Sequence, residues 1–414
     1  MKPSSILAGK VYVEAVHAAC NRRKLDAQKI ASFFENNGYR IVRDPGDADV
    51  MLLITCAVSL EREASSISRI HHLKKYGGEL IVSGCLPAIN KQKLSSVHSG
   101  VSIPTSELSK LDDYFPNMQV KFTELGDANR YWPSYEKMFG YQFFQVAVEK
   151  IKSFRRLPLN YIIKKEIPRL INRTIIRRSA AEIEPFSIRI SWGCNHQCAY
   201  CGIRSAVGKF HSKPLETCRA EFAEGLNKGY REFELIADDV GAYGVDIGKT
   251  FPDLLNSLLD VKGNYTIQIW NLSPIWLVKY QEAFAPILKT KKISGIHYPV
   301  QSGSGKMLKA MNRYSNVEKI RDSVRFLRKH FPSISVTTDL IVGYPGETDE
   351  DVTATIEFLG SADFDIVHIF TYKDVPNTIA YAAQDKIPPN IIEQRVSRLQ
   401  HGLDAMSTDY LVIA

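Results

Sequence analysis

Three cysteines stand close together at Cys194, Cys198 and Cys201, with three and then two residues between them. Thiolates are the usual ligands of iron-sulfur clusters, and this spacing lets one tight loop wrap three corners of a cubane while one iron stays open. The residues also allow a zinc site, with His196 or His211 as fourth ligand. Cys20, Cys56 and Cys85 each close an apolar run, so thiols far apart in sequence can converge at one sheet edge and hold a second cluster. Buried, unreactive cysteine is the other reading of these three, and the expected one for Cys218, which has no partner motif. Seven cysteines in 414 residues, an odd number, do not resemble a secreted disulfide framework.

The cysteines need elements to carry them. From Val11 to Ser106, strand-like runs at Val11 to Val16, Val50 to Cys56 and Leu80 to Cys85 alternate with helical stretches near Lys24 to Asn37 and Val58 to Lys75, which predicts a small α/β domain. Six more strand-like runs follow, at Ser187 to Ser191, Glu234 to Ala237, Tyr265 to Trp270, Gly295 to Val300, Val336 to Val342 and Ile366 to Tyr372. Helical segments separate them, so right-handed crossovers give a parallel sheet and an open, partial (β/α)6 barrel. The close-spaced cysteines follow its first strand, at the carboxyl end where parallel α/β folds place their sites. The predicted organisation is an α/β domain over 1–125, a basic helical insertion over 126–184, a partial barrel over 185–385 and a C-terminal helix over 386–414.

Charge is concentrated in the insertion. Lys150 to Arg178 holds ten basic residues against one acid, Glu166, a balance of +9, whereas the whole chain carries +8. Ile163, Ile167, Leu170, Ile171 and Ile175 recur there at helical spacing, and Pro168 would kink the helix. Such a helix docks acidic partners, RNA or membrane surfaces, or else is a solvated linker. With 44% hydrophobic residues and no run that approaches a membrane span, the chain reads as a cytoplasmic globular protein of two or three domains.

Cys-x3-Cys-x2-Cys with Tyr200 before the last cysteine resembles the signature of the radical S-adenosylmethionine (SAM) superfamily. The resemblance implies a 4Fe-4S cluster on Cys194, Cys198 and Cys201 that cleaves SAM, with Tyr200 beside the adenine. More of the chain is similar to one branch, the methylthiotransferases. Ala237-Asp-Asp239-Val-Gly-Ala-Tyr243-Gly244, the run from Tyr298 through Gln301 and Ser302 to Arg313, and the run from Thr338 through Gly343 to Glu347 and Thr348 all match its motifs. So do the surroundings of Cys20, Cys56 and Cys85, which implies an auxiliary 4Fe-4S cluster on those three. Further cofactor contacts implied are Asp239 near the SAM amino group, Gln301 and Ser302 on ribose or carboxylate, and Gly343 and Glu347 at a bound nucleoside.

The expected reaction replaces C–H by C–SCH3 with two SAM molecules and two clusters that face one cavity. Departures from the family pattern occur at Ile203 to Gly208, at Ser212-Lys213-Pro214 and at Val375-Pro-Asn-Thr378. The chain also ends at Ala414, where the family's TRAM domain would begin. These departures favour a peptide or natural-product substrate docked through 150–178, with a flavodoxin or ferredoxin as reductant. A tRNA adenosine, sulfur insertion, and a non-enzymatic electron carrier or regulatory protein are the alternatives.

Overall fold

The computed structural model describes residues 9–16, 19–132 and 185–413. The basic segment from Lys150 to Arg178 lies outside the described residues. The rest forms two compact units.

The first unit is a five-stranded parallel sheet in the order β2-β1-β3-β4-β5, with β1 Lys10–Ala15, β2 Arg40–Ile41, β3 Val50–Thr55, β4 Glu79–Gly84 and β5 Ser102–Pro104. A parallel strand covered on both faces reads as a continuous apolar run. Met51, Leu52, Leu53 and Ile54 of β3 are accordingly all fully buried. Helix α1, Asn21–Asn36, buries Ile30, Phe33 and Phe34. Helix α2, Leu60–Leu73, starts at Ser59, whose hydroxyl accepts from the Arg62 N–H, and carries Glu61 and Glu63 in its first turn, where the helix dipole favours anions. Strands β2 and β5 have two and three residues, too few for a periodic signal, and exist only through their partners.

Two distant segments complete this unit, Cys201–Lys209 and Asp374–Thr378. Ala206 and Val375 join its apolar core, and the Val375 side chain packs so closely on Gly202 that a Cβ there would lie 2.5 Å from it.

The second unit is a seven-stranded sheet in the order β14-β13-β12-β11-β10-β9-β6. Its strands are β6 Phe186–Arg189, β9 Glu232–Ile236, β10 Thr266–Ile269, β11 Ile293–His297, β12 Ser335–Val342, β13 Ile366–Thr371 and β14 Asp409–Ile413, all parallel to their neighbours. The first six are the expected barrel strands. Strand β14 is a seventh, in the C-terminal stretch that was expected to hold a helix alone. The helices of six residues or more are α3 Leu215–Asn227, α4 Phe251–Leu259, α5 Pro274–Lys289, α6 Gly305–Ala310, α7 Val317–His330, α8 Asp349–Ala362 and α9 Pro389–Ala405.

Burial alternates along β12: Val336, Leu340 and Val342 join the core with Leu327 of α7, Phe358 of α8 and Leu399 of α9, while Thr337, Asp339 and Ile341 on the opposite face stay partly exposed. Parallel register carries that inner face across the sheet through Ser187, Glu234, Gln268, His297, Asp339 and His368. The interior of a closed barrel is normally filled by Val, Ile and Leu. This one is polar, so it can take a polar ligand.

Candidate active site

After β6 the chain passes through a two-residue strand, β7 Ser191–Trp192, that pairs antiparallel with β8 His211–Ser212. Trp192 stacks on His211, ring centroids 4.7 Å apart and 9° from parallel. Gly193, at φ +73°, turns the chain into the cysteine segment.

That segment is held from both sides. On one, the Ala199 N–H donates to the Met311 carbonyl (2.9 Å) and the Asn312 side-chain amide to the Gln197 carbonyl (2.9 Å). Arg313, just beyond, directs Nη1 at Cys198 Sγ (3.6 Å) and Nη2 at the Pro299 carbonyl (2.6 Å). On the other, His196 Nε2 meets Asp239 Oδ2 at 2.6 Å. Asp239 is 1% exposed and also accepts from Trp276 Nε1 (2.6 Å) and the Ser273 N–H (3.3 Å). Both of its oxygens are therefore engaged with protein donors. Through His196 it anchors the cysteine loop.

Cys194 and Cys198 are half-buried and free of disulfides, as is Cys201, which begins the segment assigned to the first unit. The donor chemistry fits an iron-sulfur cluster. Burial works against the Arg313 charge, but Tyr200 and the Cys198 thiol hold its pKa above the ordinary value, so a cation stands beside a thiol that must ionise to bind iron. Of the two histidines considered as a fourth zinc ligand, His196 has Nε2 on Asp239 and His211 is stacked on Trp192.

The remaining expected cofactor contacts divide. Tyr200 lies against a small cluster of Ala199, Met307, Met311, Tyr344 and Ala380. Gln301 adopts φ +80° and forms a single bridge to Leu340, its N–H donating to the Asp339 carbonyl. Ser302 Oγ is taken up by Thr355 Oγ1 (3.3 Å) and the Ser304 N–H (3.1 Å). Gly343, at φ +84°, donates its N–H to Glu347 Oε2 (2.9 Å), and Arg395 Nη1 lies 3.3 Å from the same oxygen. Burial pushes the Glu347 carboxyl up to about 7, against the pull of Gly343 and Arg395. Glu347 thus clamps its own turn.

In the first unit Cys20 occupies the N-cap position of α1, a few residues beyond the end of β1, while Cys56 and Cys85 directly follow β3 and β4. These three strands are neighbours, so the cysteines sit at adjacent carboxyl ends. Cys20 and Cys56 are close enough to interact electrostatically. The Ser66 hydroxyl fixes Cys56 by accepting its N–H (3.0 Å) and donating to its carbonyl (2.7 Å). Burial pushes the Cys56 thiol up, while the Val58 N–H and Arg62 pull the other way. Gly84, at φ +99°, lets β4 run close to β3 just before Cys85: a Cβ there would lie 2.3 Å from the Thr55 carbonyl oxygen. Cys218 is fully buried in α3, as expected of a structural cysteine.

Several of these residues carry no sequence signal. Asn312 and Arg313 end a matching motif but act on a loop 115 positions away. His297 and His368 belong to no expected site, yet both reach Asp339.

Comparison with known proteins follows the same division. Residues 188–359 match the radical SAM superfamily and residues 10–104 match Uncharacterized protein family UPF0004. A "Probable threonylcarbamoyladenosine tRNA methylthiotransferase" of Pyrococcus abyssi is 29% identical over 95% of this chain and 83% of its own. The ribosomal protein uS12 methylthiotransferase RimO of Thermotoga maritima is 27% identical over 92% and 80%. The chain belongs to the radical SAM methylthiotransferase family. As a methylthiotransferase it is an enzyme that transfers sulfur-containing groups, and its cofactors are SAM and two 4Fe-4S clusters. The fold of the methylthiotransferase is also that of the radical SAM methyltransferase TsrM from Kitasatospora setae, with TM-score 0.60 and 14% identity over 90% of this chain and 77% of that one. Among the described residues no helix is long and apolar enough to cross a membrane.

Proposed function

We propose that this enzyme modifies a tRNA adenosine, replacing one C–H bond by C–SCH3 and consuming two SAM molecules, in the cytoplasm and with electrons from a flavodoxin- or ferredoxin-type donor. Cys194, Cys198 and Cys201 hold the cluster that binds SAM, and Cys20, Cys56 and Cys85 hold the auxiliary one. Bound there, the first cluster would supply one-electron reduction of SAM and the second a sulfur atom for transfer. The chain's own residues orient these parts. Asp239, Asn312 and Arg313 fix the loop of Cys194 and Cys198, and the polar inner face receives what docks above it. Similarity over 95% of the chain to a protein described as a tRNA methylthiotransferase carries the substrate reading. The excess of cations in 150–178 suits a phosphate backbone.

A polypeptide acceptor is the second reading, favoured by the likeness to the uS12 enzyme. Nucleosides from bulk tRNA, compared by mass spectrometry between cells with and without the enzyme, test the choice. A methylthioadenosine derivative that vanishes with the enzyme supports tRNA. Unchanged nucleosides, with a methylthio mass shift on a protein, move the substrate to a polypeptide.

A further inference from the structure

We propose that His297, Asp339 and His368 bind one divalent first-row transition-metal ion on the inner face of the seven-stranded sheet. The three residues sit on the adjacent strands β11, β12 and β13 and belong to neither cysteine set. Their ligand atoms all lie within 4.8 Å of one another. His297 Nε2 is 2.8 Å and His368 Nδ1 3.0 Å from the same oxygen, Asp339 Oδ1. Donors about 2.1 Å from an octahedral ion are about 3.0 Å apart, so these separations are those of two edges of an octahedral face. Two imidazoles and one carboxylate, with the other positions open, are a recurrent set for such metals.

The surrounding bonds point the same way. Asn271 Nδ2 donates to the Ala237 carbonyl (2.9 Å), which turns Asn271 Oδ1 toward His297 Nδ1 at 3.1 Å. An N–H on Nδ1 answers that oxygen better than the lone pair that the Asn271 N–H, 3.3 Å away, would need. With the N–H there, Nε2 presents its lone pair on the side of Asp339 Oδ1, where a cation shared by the three residues would sit. Ligating histidines are usually oriented by a carbonyl on the other ring nitrogen in this way. His297 is 6% exposed, so water cannot easily serve. His368 is the more open of the two rings, with 24% of its side chain exposed. The ion's remaining positions would therefore face the polar inner surface.

The alternative to a metal is a proton on Nε2, through which His297 donates directly to Asp339. Titration of Mn2+ into the full chain, with both clusters loaded and oxidised, separates the two. Mn2+ has little affinity for thiolates, and its solution paramagnetic resonance signal disappears on binding. About one Mn2+ per chain should bind, Zn2+ should displace it, and His297→Gln or His368→Gln should each weaken binding at least about tenfold with iron content unchanged. Should either variant fail to fold, pulsed resonance on Mn2+ bound to the unaltered protein decides: coupling to two imidazole nitrogens supports the site, and absence of nitrogen coupling overturns it. Mn2+ left free at millimolar concentration, or bound equally by the double variant, also overturns it.

Discussion

Asp239→Asn distinguishes an anchor of the cysteine loop from a ligand of SAM. The carboxylate accepts three N–H groups, from His196, Trp276 and Ser273, in a site 1% exposed to solvent. Asparagine keeps one acceptor oxygen and puts an NH2 group where the other was, so at least one buried donor loses its partner. That loss is worth about 1–3 kcal/mol, and the surviving bonds fall from charge-assisted to neutral strength, about 1 kcal/mol less each. A total of about 3–5 kcal/mol follows, which in a unit of this size lowers the thermal midpoint by roughly 6–20 °C. Because His196 lies between Cys194 and Cys198, iron bound by that set should fall as well, taking the reconstituted total from about eight toward four. Calorimetry and iron analysis on the same sample read both effects. An unchanged midpoint and full iron, with weakened SAM binding alone, would refute the anchoring argument and restore Asp239 as a direct SAM contact.

Other substitutions probe other parts. Alanine at Cys194, Cys198 and Cys201 together, or at Cys20, Cys56 and Cys85 together, should leave about four irons per chain, and retention of eight in either triple variant would exclude that set as cluster ligands. Gly84→Ala forces a side chain into positive φ and onto the Thr55 carbonyl, so urea unfolding should show a loss of at least about 2 kcal/mol; a variant as stable as the parent would mean that β4 can shift away from β3. The Asp339 carboxyl sits at about 2 in the folded chain against an ordinary 3.8. A lowered folded value means stability that is complete above pH 3.8 and is lost as pH falls toward 2, about 2 kcal/mol in all. The stability difference between parent and Asp339→Asn should shrink by that amount over this window, and a difference independent of pH would contradict the assignment.

Much of this arrangement could be read from the residues alone, and the remainder for identifiable reasons could not. The apolar run Val50 to Thr55 announces a buried strand, the β-branched stretch Val336 to Val342 a half-buried one, and the cysteine spacing announces its chemistry. What stayed hidden depends on tertiary partners. His196 and Asp239 are 43 positions apart, and nothing local marks either as the other's partner. Glu347 and Ser302 stand out because they are polar and sit in a matching motif, but the bonds they make within their own turns carry no mark in the sequence. Strand β14 follows a helix closely and has only β13 to pair with, so its pattern is weak. The inner-face histidines are single residues in otherwise apolar strands, where sequence alone cannot tell a ligand from a hydrogen-bonded core group.

The closing of the N-terminal core by Val375 and Ala206 has a consequence for the order of biosynthesis. Residues 9–132 leave the ribosome first, yet the apolar surface around Ile89 stays uncovered until Val375 has been added. At roughly 5–20 residues per second, that surface waits about 12–50 seconds after residue 132 is made. The nascent unit must persist for that time as an incomplete fold with an apolar gap, open to chaperones and to premature metal capture by the thiols of Cys56 and Cys85. Any fragment cut at the apparent end of the first unit carries the same gap permanently, whereas a circular permutant that brings 374–378 ahead of β1 would close it early.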